Sequence, residues 1–283
     1  MRGMSVSKPV LTLHDAGRDD IGDLVTRRPL PNARLGHVGA FLFLNHHGPQ
    51  VYAPHNRGLP FGPHPHRGFE TVTFILEGEL AHRDSAGHES IIRAGGVQWM
   101  TAGSGLVHAE ISPDAFKRAG GPLEILQLWV NLPARLKMTP PRYTGVQADA
   151  IPVIEEGGCA LHLVSGDWRG RSGPVESLTG VFMSWLEMKP GGRIRFDGLA
   201  DRDVFFYVAR GDVAVNGVDA PRWKLVEFGE GDLIDIEATG DALVLFGHAA
   251  PLNEPIVAHG PFVMNTREEI MQAYADYQAG KFG

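Results

Sequence analysis

Short runs of β-branched and aromatic residues, each closed by Gly, Pro, Asn or Asp, succeed one another through almost the whole chain. Residues 39–45, 70–77, 97–101, 124–131, 181–188, 204–209, 212–215 and 242–246 all have this form, and on an extended backbone alternate side chains share one face that can be buried. Gly and Pro together supply about a fifth of the 283 residues, against roughly 12% in average usage. Because 43% of the residues are hydrophobic, a core can form, and the excess reads as turn chemistry rather than disorder. Helical periodicity is confined to the end of the chain. There Thr266, Arg267, Glu268 and Glu269 read as a capping box, Ile270, Tyr274 and Tyr277 fall on one face, and Gly280 stands where a helix would stop. The expected fold is all-β with one C-terminal helix.

The chain also repeats itself faintly. Residues 72–81 parallel 205–214 at an offset of 133, with Gly78 matching Gly211, and residues 94–97 parallel 230–233 at an offset of 136, with Gly95 matching Gly231. In each half an apolar strand meets a Gly turn, a second strand leaves it, and a later Gly turn opens another, which is the rhythm of an antiparallel barrel or jelly roll. Two tandem, jelly-roll-like barrels are therefore expected, residues 1–132 and 153–283, the second ending in the helix. Residues 133–152 form the expected linker, where Pro133, Pro140, Pro141 and Pro152 interrupt any strand.

Charge and composition narrow the function classes. The net charge is −7 and no Lys/Arg-rich run occurs, so the electrostatic footprint for a phosphate backbone is missing and no direct nucleic-acid partner is expected. The N-terminus lacks the apolar core of a signal peptide, and no apolar stretch is long enough to span a bilayer. The single cysteine, Cys159, cannot form an internal disulfide, which fits a reducing compartment, and a cytoplasmic, membrane-independent protein is expected.

The 13 His are the other oddity of composition, since imidazole is both an acid/base near neutral pH and the commonest metal ligand. His64 and His66 flank Pro65 and, on an extended chain, offer two imidazoles to one side. With 13 His in 283 positions chance nearly supplies one such pair, and a surface loop explains it equally well. His108 and Glu110 repeat the spacing with a carboxylate. Both pairs flank the Gly78 and Gly95 turns, so a barrel would bring their strands together across its interior. Three neutral imidazoles and one carboxylate would hold a divalent ion and leave positions open if it is octahedral; Fe(II), Mn, Ni, Cu, Co and Zn all suit such a set. Carried across by the two offsets, His64 and His66 fall on Asp197 and Leu199, and His108 and Glu110 on Val244 and Phe246, so the second barrel is expected to lack metal ligands.

At these residues the chain closely resembles the pirin family, bicupins of the cupin superfamily. Residues 61–72, which contain His64, Pro65 and His66, resemble the family's defining motif, and residues 98–110, ending in His108, Ala109 and Glu110, resemble its second. The likeness continues through 126–132, returns at 260–266 and is faintest between 138 and 195. The resemblance implies one mononuclear metal, usually iron, in the N-terminal cupin, on residues matching His64, His66, His108 and Glu110, and a C-terminal cupin without metal. It implies quercetin 2,3-dioxygenase-type activity, in which O2 opens a flavonol ring and carbon monoxide leaves, with Glu110 as the catalytic base. The alternative it implies is a metal- and redox-dependent regulatory protein that binds a protein partner and turns nothing over. Gln98, Trp99 and Gln127 are candidates to support the ligands, with core packing for Trp99 and Trp129 and a solvent-facing Gln98 as the competing readings. Arg67 and Glu70 are candidates for an ion pair near the mouth, and His82 and His88 for turn polarity.

Overall fold

Each expected run lies on a strand of the computed structural model, which describes residues 6–283. The strands are Phe41–Tyr52, Phe69–Glu77, Val97–Thr101, Gly121–Asn131, Phe182–Met188, Asp203–Arg210, Val213–Val215 and Ala242–Ala249. The helix Arg267–Gln278 starts at the expected capping box, with Thr266 accepting from the Glu269 amide and Glu269 accepting from the Thr266 amide. Its buried face differs from expectation: Ile270, Ala273 and Asp276 are buried, while Tyr277 is 39% exposed. A short helix, Asp114–Ala119, was not foreseen, being too brief for periodicity to register. Among the described residues no helix is long and apolar enough to cross a membrane.

The chain divides into two compact units that are not its contiguous halves. The first comprises residues 18–27, 41–148 and 252–283, and the second comprises residues up to 17, 28–40 and 149–251. This differs from the expected boundaries at both ends and in the linker. Val10–Asp15 pairs with Lys224–Phe228, so the N-terminal strand belongs to the second unit. Residues 252–283 belong to the first, where Phe262, Met264, Ile270, Ala273 and Phe282 form a cluster of their own. The expected linker supplies Arg142–Val146, an edge strand on Val97–Thr101; Pro140 and Pro141 stop just short of it. Strand partners are chosen by which sheet edge is open, and that is a long-range property.

The two units share a topology. In the large sheet of the first, Val97–Thr101, Phe69–Glu77, Gly121–Asn131 and Phe41–Tyr52 lie side by side, matched in the second by Lys224–Phe228, Asp203–Arg210, Ala242–Ala249 and Phe182–Met188. The four-stranded sheets match likewise: Phe61–His66, Leu106–Ile111, Glu79–Asp84 and Glu89–Arg93 against Arg193–Phe196, Ile234–Ala238, Val213–Val215 and Val218–Ala220. The offset of 133 joins true counterparts, but the offset of 136 does not. Residues 94–97 lead into Val97–Thr101, whereas 230–233 lead into Ile234–Ala238, the counterpart of Leu106–Ile111. The helix Asp114–Ala119 has no equivalent between Ile234–Ala238 and Ala242–Ala249, so the true offset shrinks along the chain instead of growing.

Hydrogen-bond register then corrects the residue correspondences. His64 pairs opposite His108 as Phe196 pairs opposite Ile234, which places His64 on Phe196, His66 on Gly198, His108 on Ile234 and Glu110 on Ile236. In place of Asp197, Leu199, Val244 and Phe246, these are the residues that stand where the first unit has His and Glu. Phe196, Ile234 and Ile236 belong to one continuous apolar cluster with Phe206, Val226 and Phe246.

Candidate metal centre

The antiparallel strands Phe61–His66 and Leu106–Ile111 set His108 opposite His64 and Leu106 opposite His66. Side chains two apart on a strand share a face, so His64, His66, His108 and Glu110 all project to one side. The chain leaves His66 through Gly68, whose φ of +86° and whose approach to the Val263 carbonyl, 2.0 Å from where a Cβ would sit, admit no side chain. One ring nitrogen from each of His64, His66 and His108 lies within 4.8 Å of the other two.

Backbone carbonyls set the tautomers of two of these rings. His64 Nδ1 lies 2.7 Å from the Gly62 carbonyl and His66 Nδ1 lies 3.2 Å from the Pro261 carbonyl. A carbonyl only accepts, so each Nδ1 carries the proton and each Nε2 keeps its lone pair for a metal. Burial, and then the His64 ring, push the His66 pKa down to about 3. Burial, followed by His66, His64 and His82, holds His108 well below the ordinary range. His108 is 1% exposed and neither ring nitrogen has a hydrogen-bond partner among the described residues. A buried imidazole left so is costly, and an ion on one nitrogen would relieve it. With His66 and His108 held neutral and the three rings convergent, the cluster fits a divalent transition-metal ion.

Glu110 lies beside the rings, its Oε2 4.0 Å from His108 Nε2. Its carboxylate is held by three side chains of the large sheet. Thr73 Oγ1 donates to Oε1 over 3.0 Å, Gln98 Nε2 donates to the same oxygen, and Gln127 Nε2 donates to Oε2. Oε2, with one donor against two, retains the greater lone-pair capacity. Gln98 is fully buried rather than solvent-facing, and its own Oε1 accepts from Tyr143 at 3.3 Å, while Tyr143 shares a 2.5 Å hydrogen bond with Ser90 Oγ. His82 stacks on Tyr143 at 4.1 Å and bonds Asp84 through Nε2 at 3.0 Å, so it backs the site without joining the cluster. Sequence reading missed Thr73 and Tyr143. Thr73 was legible as a polar residue on the inward face of an apolar strand, but Tyr143 sat in the expected linker. In the second unit the positions of Thr73, Gln98 and Gln127 are taken by Phe206, Val226 and Phe246, read through the same strand registers.

The wall beside the rings is aromatic. Trp129 meets His66 edge-on at 5.3 Å, stacks on Phe43 at 4.6 Å and lies against Phe69 at 4.4 Å. Arg67 does not pair with Glu70: it bonds Asp276 at 2.9 Å and the Ser104 carbonyl at 2.7 Å and lies over the Phe282 ring, while Glu70 accepts from Thr101 at 2.6 Å. The ammonium of Lys137, 1% exposed, donates to the Gly68 and Val263 carbonyls and to Asn131 Oδ1 at 2.7–3.0 Å. Elsewhere, His46 bonds Glu124 in the core, His88 caps the Asp84 turn, and the Cys159 thiol is buried in the second unit with its pKa pushed up to about 11.

Family models match 23–130, described as pirin, and 183–283, described as the pirin C-terminal cupin domain. A Pseudomonas aeruginosa protein, named provisionally as a quercetin 2,3-dioxygenase, is 37% identical over 282 residues, covering 97% of this chain and 98% of that protein. Among solved structures, a quercetin 2,3-dioxygenase from Acinetobacter baumannii superposes with a TM-score of 0.91 at 34% identity, covering 98% of this chain and 99% of that one. A bacterial pirin from Escherichia coli, solved in complex with nickel(II), superposes with a TM-score of 0.68 at 25% identity, covering 85% and 99%.

Proposed function

The chain belongs to the pirin family of bicupins, and on that premise we propose that it is a mononuclear metalloenzyme of the quercetin 2,3-dioxygenase type, opening a flavonol ring with O2 and releasing carbon monoxide. The carrying observation is the convergence of His64, His66 and His108 beside a carboxylate already fixed by Thr73, Gln98 and Gln127. The three imidazoles, with Glu110 through Oε2, would hold one divalent ion, with Fe(II) as the proposed occupant. When bound, the ion would supply Lewis acidity toward a substrate oxygen and redox chemistry toward O2.

The chain's own residues account for the rest. Glu110 would give up its place as a ligand to take the proton of the flavonol 3-hydroxyl on Oε2, while Thr73 and Gln98 hold Oε1 and keep the carboxylate from rotating. Gln127 donates to Oε2 and steers it toward the substrate. Trp129, Phe43 and Phe69 give a planar substrate an aromatic wall and exclude water. The carbonyls of Gly62 and Pro261 keep His64 and His66 in one tautomer throughout.

The test is an aerobic assay of Fe(II)-loaded protein with quercetin, following loss of flavonol absorbance, O2 uptake and carbon monoxide. Turnover by the wild type, its loss in His64→Ala/His108→Ala, and a drop of roughly 10²–10⁴-fold in Glu110→Gln with metal retained are expected. Metal binding without turnover of any flavonol would refute the enzyme reading and favour the regulatory alternative.

A further inference from the structure

The second unit keeps a cavity beside the position that His66 takes in the first. It has a volume of about 780 Å³, and its lining includes Trp168, Phe182, Asp197, Gly198 and His248. Register identifies the place. Val204 lies opposite His248 as Thr71 lies opposite Trp129, and Phe182 lies opposite His248 as Phe43 lies opposite Trp129. Phe182 and His248 stack at 4.9 Å with their planes 2° apart, and Phe43 and Trp129 stack at 4.6 Å and 26°. Gly198 takes the position of His66, so the imidazole that fills this space in the first unit is missing and room is left. Beneath it Phe196, in the position of His64, stacks on Phe246 at 3.9 Å and meets Trp168 at 4.6 Å.

Polar groups around this aromatic floor define what could occupy it. Arg202 Nε donates to His248 Nδ1 at 3.0 Å, so the ring proton sits on Nε2 and the imidazole is neutral. Burial and the Arg202 charge act the same way, pulling the His248 pKa down to about 3. Asp167, Glu176 and Asp197 bring three carboxylates to the lining; against them stand Arg169, already bound to Glu156 through two 3.0 Å hydrogen bonds, and Arg202, engaged by His248 and the Gly180 carbonyl. An anionic ligand would meet an excess of like charge there.

We propose that this cavity is a second small-molecule site, for a planar aromatic compound without negative charge, held by stacking on Trp168 and the Phe182–His248 pair and needing no metal. Duplication has kept the aromatic mouth of the barrel and replaced the reactive group beneath it by Phe196 and Gly198, so the site binds and does not react.

The test uses the full chain carrying His64→Ala/His108→Ala to silence the first barrel, with calorimetric titration of 2-naphthol and of 2-naphthoate. One saturable 2-naphthol site is expected, with 2-naphthoate at least tenfold weaker. Ser172→Trp, introduced from an exposed position on the cavity rim, fills the space and weakens 2-naphthol at least tenfold with an unchanged Tm. Trp168→Ala removes one wall and weakens it similarly. Absence of saturable binding, equal affinity for the two probes, or a 2-naphthol affinity indifferent to Ser172→Trp would each overturn the proposal.

Discussion

Replacing Gln98 by Leu removes one of the three donors that fix Glu110 while nearly preserving side-chain volume. Gln98 is fully buried and donates to Glu110 Oε1, which keeps only Thr73 Oγ1, at 3.0 Å, once the amide is gone. Tyr143 loses the Gln98 acceptor but keeps Ser90, so the damage centres on the carboxylate. A hydrogen bond to a charged group contributes about 1.5–3 kcal/mol, and Leu opens no appreciable cavity, so the metal-free protein should lose roughly that much stability. For a unit of this size that is a fall in Tm of roughly 3–12 °C. Supporting residues of this kind typically change metal affinity by about 10–100-fold, and Fe(II) or Ni(II) titration should show a loss in that range. Urea unfolding followed by tryptophan fluorescence, on wild type, Gln98→Leu, Glu110→Leu and the double variant, separates the pair from general disruption. If Gln98 acts through Glu110, its substitution costs much less once Glu110 is already Leu. The same cost in both backgrounds would refute the clamp.

Burial lowers the Lys137 pKa from 10.5 to about 8 in the folded state. Below pH 8 the ammonium is charged in both states and the fold bears its desolvation. As pH rises from about 8 to 10.5 the unfolded state binds more protons, so wild-type stability gains up to about 3 kcal/mol relative to Lys137→Met. Urea unfolding of both proteins at pH 7 and pH 10 checks this, and parallel pH profiles would rule it out. Gly105 has a φ of +133°, and a Cβ there would lie 2.7 Å from the Phe282 ring. Gly105→Ala should therefore cost roughly 1–3 kcal/mol and speed proteolysis of the terminal helix, and an unchanged digestion pattern would show that Phe282 does not anchor it. Cys159 is 1% exposed and its thiol is pushed up to about 11 by burial and then by Glu156 and Glu155. A disulfide reagent at pH 8 should modify it only after unfolding, and stoichiometric reaction of the native protein would contradict this.

Much of the site was readable because its spacing is that of a strand: His64 with His66, and His108 with Glu110, needed only a period of two. The strands beside them were readable for the same reason. What could not be read was pairing across distance. The carbonyl that fixes His66 comes from Pro261, 195 residues away, and the carboxylate that holds Arg67 comes from Asp276, 209 residues away; neither leaves a local trace. Tyr143 follows Pro140 and Pro141, whose local message of interruption is correct and stops one residue before the strand. The second repeat anchor failed because a Gly turn entering a strand looks alike wherever it occurs, and only the hydrogen-bond ladder says which strand follows.

The return of residues 252–283 to the first unit bears on the order in which a ribosome delivers the parts of the site. His64, His66, His108 and Glu110 have all emerged long before Pro261. At about 5–20 residues per second, the 195 residues between His66 and Pro261 take roughly 10–40 s to synthesise. Through that interval the nascent chain carries three imidazoles, one with its ring orientation still open, and Lys137 waits for the Val263 carbonyl that completes its set of acceptors. The ring geometry of the centre is thus completed by residues made long after the three imidazoles themselves.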